Sequence, residues 1–166
     1  MLLMAIVVQG AWADDDYFIG HGNEPYKVGS AEDLIELSTR MKRHQDAYYV
    51  MCYVVLTNDI DMSAYPDWTP IGYDEDEANR MGFNGTFDGM GHSIYNLKSQ
   101  SGNVGLFWKL WGADIRNVNF RNVDLKGAKG SVVCTETVDA TIENVNVMSD
   151  QFLSTNPLLE SACLQT

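Results

Sequence analysis

The sequence predicts an all-β repeat fold, a solenoid covered at its front by one short α-helix, and three observations carry that reading. The phrase Ile-x-Asn-Leu/Val occurs as Ile94-Tyr95-Asn96-Leu97, Ile115-Arg116-Asn117-Val118 and Ile142-Glu143-Asn144-Val145, with its asparagines 21 and 27 residues apart. A phrase returning at such intervals marks stacked repeats, and unequal gaps put loops of unequal length between them. Behind the later copies apolar residues alternate, Val118 with Phe120 and Val145 with Val147, as on a strand with one buried face. The third observation is a helix signal ahead of all the repeats.

Residues 1–13 carry no charge, hold the run Leu2-Leu3-Met4-Ala5-Ile6-Val7-Val8, and close on Ala11-Trp12-Ala13 before Asp14-Asp15-Asp16. That is the back half of a secretory signal peptide with an A-x-A cleavage pattern, although the usual basic residues in front are missing. The run falls short of the ~20 apolar residues needed to span a bilayer. It points to a secreted or cell-surface protein with no transmembrane segment.

Residues 14–47 read as a lead-in and cap. Tyr26-Lys27-Val28 is a short strand, and Ser30-Ala31-Glu32-Asp33 has the Ser-x-x-acid form that opens a helix. Leu34, Leu37 and Met41 then follow at helical spacing, so the helix runs from Ala31 to about Lys42 with Glu32, Glu36, Arg40 and Lys42 in water. A solenoid exposes its first apolar cross-section unless something covers it, and this helix is placed to do so.

Residues 48–147 carry the coils. Their first strand, Tyr48 to Leu56, is β-branched and aromatic, and in Asn58-Asp59-Ile60-Asp61-Met62 the apolar residues alternate inward. A turn region, Pro66 to Gly72, and an acidic loop, Tyr73 to Gly82, precede the stretch Phe83 to Leu97. Further coils run from Val104 to Leu125 and from Gly130 to Val147, and residues 148–166 lose the pattern as an irregular end.

Eleven Lys and Arg against 23 Asp and Glu give a net charge of −12. Scattered cations on so acidic a chain exclude a phosphate-neutralising role, so no nucleic acid partner is expected. Cys52, Cys134 and Cys163 lack metal-ligand spacing, which leaves buried thiols, with a Cys52–Cys134 disulfide possible if the two fall on neighbouring coils.

The segments Leu56-Thr57-Asn58-Asp59-Ile60-Asp61-Met62, Trp68-Thr69-Pro70-Ile71-Gly72, Phe83-Asn84-Gly85-Thr86-Phe87-Asp88-Gly89 with Gly91-His92-Ser93-Ile94, and Val104-Gly105-Leu106-Phe107 stand in the order found in the GLUG-motif family of bacterial surface proteins, which the chain resembles over residues 26–147. The resemblance implies a right-handed parallel β-helix like that of the pectin-lyase superfamily, here of about four coils. It also implies an exported, adhesin-like setting. Trp108 stands where the family's motif ends in Gly, and Gly130-Ser131-Val132-Val133 lacks the motif's Leu.

Within such a fold, inward-turned corner asparagines at Asn58, Asn96, Asn117 and Asn144 would hydrogen-bond from coil to coil as a ladder, and glycines 85, 89, 91 and 105 would serve corners or close approach. Asp59, Asp61 and Asp88 are the acids within the coils, and glycoside hydrolysis needs two carboxylates across a groove. Asp88 sits in a corner where Asp bonds its own backbone, and Asp59 and Asp61 flank a buried Ile, so these acids are read as structural, as is His92. No catalytic residue and no cofactor is assigned. Asp74 and Asp76 of the acidic loop are the weak candidates for Ca²⁺. Trp68, Tyr73, Trp108 and Trp111 are the candidates for stacking on sugar rings. The expected function is a non-enzymatic structural or adhesive module contacting glycans or host surface proteins, with end-to-end self-association at open coil ends. The alternatives are a fragment of a carbohydrate-active β-helix enzyme and the noncatalytic front of a larger surface protease.

Overall fold

A computed structural model describes residues 24–43, 52–72, 82–99, 102–127 and 129–148. The signal segment, Tyr73, Asp74, Asp76, Cys163 and the irregular end from residue 149 lie outside the described residues. In chain order the elements are β1 (Tyr26–Val28), α1 (Ala31–Arg43), β2 (Cys52–Leu56), β3 (Ile60–Asp61), β4 (Gly85–Asp88), β5 (Ser93–Tyr95) and β6 (Lys98–Ser99). They continue with β7 (Asn103–Val104), β8 (Phe107–Trp111), β9 (Asp114–Arg121), β10 (Asp124–Leu125), β11 (Lys129–Gly130), β12 (Cys134–Val138) and β13 (Thr141–Met148).

Every strand pairing is parallel, and partners come from successive turns of a β-solenoid of about four turns. The inward residues stack in columns. One runs Val54, Phe87, Ile115, Ile142, and another runs Ile60, Ile94, Phe120, Val147. Phe107 packs against the first column, its ring 4.7 Å from that of Phe83 and edge-on to Phe87 at 5.4 Å between centroids. Such pairs add to the area that each coil buries against the next.

The period differs from the one read off the phrase. Later coils repeat every 26 to 28 residues, and the 21-residue gap between Asn96 and Asn117 is no repeat at all. Ile94-Tyr95 pairs with Phe120-Arg121, whereas Ile115 pairs with Phe87. Two different corners share one local sequence because both need an apolar residue inside and a residue that accepts a left-handed backbone outside. The asparagines supply that backbone: Asn96, Asn117, Asn122 and Asn144 have φ of 56°, 54°, 52° and 50°. Asn tolerates this region better than other non-glycine residues. Their side chains stand half-buried or exposed at the surface, not turned into the core as expected.

α1 closes the front of the solenoid. Leu34, Leu37 and Met41 join the same core cluster as Val54, Leu56, Ile60 and Met62. The Asp33 N–H donates to Ser30 Oγ at 3.2 Å and the Gly29 N–H to Asp33 Oδ2 at 2.9 Å, which satisfies the helix start. Ser38 Oγ donates to the Thr69 carbonyl at 3.2 Å and Tyr65 donates to Glu32 at 2.9 Å, so the helix is tied to the first coil.

Between Asp88 and Ser93 four residues bulge where the next coil has only two, Asn117 and Val118. Gly89 enters this bulge against that next coil: a Cβ there would lie 2.5 Å from the Asn117 carbonyl oxygen and 2.6 Å from Val118 Cα. Met90, at the tip, is 59% exposed with φ of 51°. Gly89→Ala is expected to cost about 2 kcal/mol by wedging two coils apart. Met90→Asn is expected to gain about 0.5 kcal/mol by easing a strained backbone. Urea denaturation of the two variants measures both.

Candidate functional site

The surface that could carry chemistry lies along the corner between the β2–β4–β9–β13 face and the β3–β5–β9–β13 face. The three acids weighed for catalysis gather there, each in contact with a neighbouring coil. Asp59 Oδ1 accepts the Ser93 N–H at 2.8 Å and lies 3.2 Å from His92 Nδ1, while Oδ2 accepts the Tyr95 hydroxyl at 3.2 Å. Asp61 Oδ1 accepts from Asn96 Nδ2 at 2.7 Å and from the Ser63 N–H at 2.9 Å. Asp88 Oδ2 accepts from Arg116 Nε at 2.8 Å, and its Oδ1 accepts the Met90 N–H at 2.9 Å and Asn117 Nδ2 at 3.1 Å.

These donors hold all three carboxyls below the ordinary value of 3.8. For Asp59 the Ser93 N–H is the main cause; burial pushes the other way, and His92 and Tyr95 add to the lowering. For Asp61 it is the Asn96 amide, with Ser63. For Asp88 burial is the largest single influence and pushes upward, but Arg116, the Met90 N–H and Asn117 together outweigh it. A general acid must hold its proton near neutral pH, which calls for a raised carboxyl. These groups are tuned the opposite way, as acceptors that brace one coil on another.

The asparagine ladder divides into columns. Asn144 Nδ2 donates to Asn117 Oδ1 at 2.8 Å, and Asn117 donates down to Asp88. In a second column Asn122 donates to Asn96 Oδ1 and Asn96 to Asp61. Asn146 donates to Asn119 Oδ1 at 3.0 Å in a third, and Asn119 to the Gly91 carbonyl at 2.8 Å. Asn96 therefore does not stack on Asn117. Asn58 joins no column and donates instead to the Gly29 carbonyl at 3.1 Å. Asn119, Asn122 and Asn146 were missed; the strand alternation Asn117-Val118-Asn119 and the 26-residue interval from Asn96 to Asn122, close to the 27 from Asn117 to Asn144, were the available signals.

Two of the four aromatic candidates, Trp68 and Trp108, lie in the core, and Tyr73 lies outside the described residues. Trp68 is buried and donates its indole N–H to the Gly105 carbonyl at 3.0 Å, and Trp108 is 3% exposed. The Gly105-Leu106-Phe107-Trp108 run thus feeds the core. Trp111 alone of these tryptophans presents a ring outward, 44% exposed, with Lys109 Nζ 4.9 Å from its centroid. Cys52 and Cys134 are buried thiols on different faces, not a disulfide. Burial pushes the Cys52 thiol up to about 12. Among the described residues no cluster of His, Cys, Asp or Glu could hold a metal ion, and no helix is long and apolar enough to cross a membrane.

No protein-family model matches the sequence. The chain is 32% identical over 144 residues to halomucin of Haloquadratum walsbyi, covering 77% of this chain but about 2% of that protein. Its fold is similar to the crystal structure of a "putative immunoglobulin A1 protease" from Bacteroides ovatus, with a TM-score of 0.56, 25% identity, and coverage of 70% of this chain and 32% of the other.

Asp88→Asn is expected to cost about 2 kcal/mol, because it removes the buried partner of Arg116 and leaves the other donors short of a charged acceptor. Since Asp88 sits below its ordinary 3.8 in the folded chain, its contribution is present above about pH 4 and is lost as pH falls through the folded value. Thermal melts from pH 7 to pH 2 should show the wild type weakening in that acid range and Asp88→Asn weakening less.

Proposed function

We propose that this chain is a non-enzymatic β-solenoid module of a secreted or cell-surface protein, acting as a stalk or as an adhesive face toward glycans or host proteins. The carrying observation is the use made of its acids. Asp59, Asp61 and Asp88 are each occupied by donors from a neighbouring coil and held ionised, so they serve the stacking of coils. The partial match to a protein named halomucin supports a surface setting, as does the resemblance to GLUG-motif proteins. Trp111 is the ring through which a sugar face would be met.

A second reading, the noncatalytic part of a larger surface protease, is favoured by the likeness to one third of the Bacteroides ovatus chain. Both readings give the module no turnover of its own.

Incubation with neutral and acidic polysaccharides, followed by assay of new reducing ends and unsaturated products, is expected to show no cleavage. Retention on immobilised glycans or host surface proteins, weakened by Trp111→Ala, is the expected positive result. A cleavage rate that disappears in Asp88→Asn would reverse the proposal.

A further inference from the structure

The sequence holds one Asn-x-Ser/Thr triplet, Asn84-Gly85-Thr86, which neither the corners nor the core account for. In an exported chain such a triplet is an acceptor for an N-linked glycan, provided that it stands at a surface. Here it straddles the start of β4. Phe83 and Phe87 point into the core and are fully buried, while Asn84 and Thr86 stand half-buried on the outside.

Asn84 is set apart from the asparagines that build the coils. Asn58 and the members of the three columns spend their side-chain amides on neighbouring groups. The Asn84 main chain is held, its carbonyl 3.7 Å from the Cys52 Sγ that donates to it, but among the described residues its amide and the Thr86 hydroxyl have no hydrogen-bond partner. Asn103 is likewise without one, yet Val104-Gly105 follow it and the hydroxyl residue is missing.

A second observation is independent of the triplet. Phe83 pairs with Leu110 of the next coil, and the Trp111 N–H donates to the Phe83 carbonyl at 3.0 Å. Both paired side chains are fully buried, so the positions that follow them, Asn84 and Trp111, turn outward on adjacent strands about 4.8 Å apart. The exposed indole therefore stands beside the unpartnered amide. Its ring, 44% exposed, offers the apolar surface on which the first sugar of a glycan on Asn84 would pack.

We propose that Asn84 is an N-glycosylation site and that the first sugar of its glycan packs on Trp111. In the transfer step the Asn84 amide nitrogen attacks the anomeric carbon of a sugar carried on a polyprenol diphosphate. The bond from that carbon to nitrogen forms as its bond to the phosphate oxygen breaks, a base of the membrane-bound transferase takes the amide proton, and the lipid diphosphate leaves. The inference rests on the secreted or cell-surface setting proposed above, and not on adhesion.

The test uses the full chain, secreted behind an added export leader from a eukaryotic host that makes N-linked glycans, with the intact mass read before and after peptide-N-glycosidase. The wild type should carry one glycan, located by the conversion of Asn84 to Asp on release. Asn84→Gln and Thr86→Val should be secreted without it, and Thr86→Ser should keep it. Urea denaturation before and after release then reads the packing: the glycan should raise the midpoint of the wild type, raise that of Trp111→Phe by less, and leave that of Trp111→Ala unshifted. Release leaves Asp at position 84 in every background, so the difference isolates the ring. A secreted wild type without sugar on Asn84, or a glycan whose release shifts wild type and Trp111→Ala equally, overturns the proposal. Because the leader imposes export, neither result bears on the adhesive reading, which retention on glycans tests.

Discussion

The backbone's left-handed corner is the constraint on which the rest of the structure depends. A parallel coil must turn between faces without breaking its pairing to the coils on either side. A single residue near φ of 50° does this within β9 and β13, at Asn117 and Asn144, so each of these strands continues through its bend. An L-residue pays for that conformation unless it is Asn, Asp or Gly. Once the corner position is set, the register of both flanking faces is set with it, since a slip of one residue would turn the apolar columns outward.

The polar architecture grows from the same corners. A short amide at the bend lies over the amide of the coil before it, and each column ends at a group that can only accept: Asp61, Asp88 or a backbone carbonyl. Asp88 does more, pairing with Arg116 across the coil boundary while capturing the Met90 N–H of its own bulge. The acids that resemble a catalytic set in sequence are thereby consumed in holding coils together. Their oxygens are taken up by donors of the neighbouring coil, which leaves the outer faces as the surface to search for function.

Much of the architecture was legible in the residues. The alternation of Val118 with Phe120, the capping signal at Ser30 and the 27-residue interval from Asn117 to Asn144 each specify a local choice, and the structure honours all three, whereas Val147, expected on a buried face, is exposed. What misled was the phrase around Asn96. It copies Ile115 to Val118 because any corner wants an apolar neighbour and an αL-tolerant residue, so local sequence identifies the type of corner without telling which corner it is. The inserted bulge at Gly89 to His92 hid the true alignment, which only the pairing of Phe87 with Ile115 reveals. The tryptophans were equally ambiguous: nothing local distinguishes Trp108, buried, from Trp111, exposed, since that depends on which face of β8 each occupies.

The most direct test of this account compares glycine and alanine at two neighbouring asparagines by urea denaturation. Asn117 is left-handed and Asn119 is not, though both donate to the coil before them. If the corner backbone governs, Asn117→Gly should be more stable than Asn117→Ala by about 1 kcal/mol, and the order should reverse at Asn119, where glycine only loosens a strand. Equal losses for glycine and alanine at Asn117 would contradict it, and would mean that the side-chain ladder, not the bend, is what each coil requires.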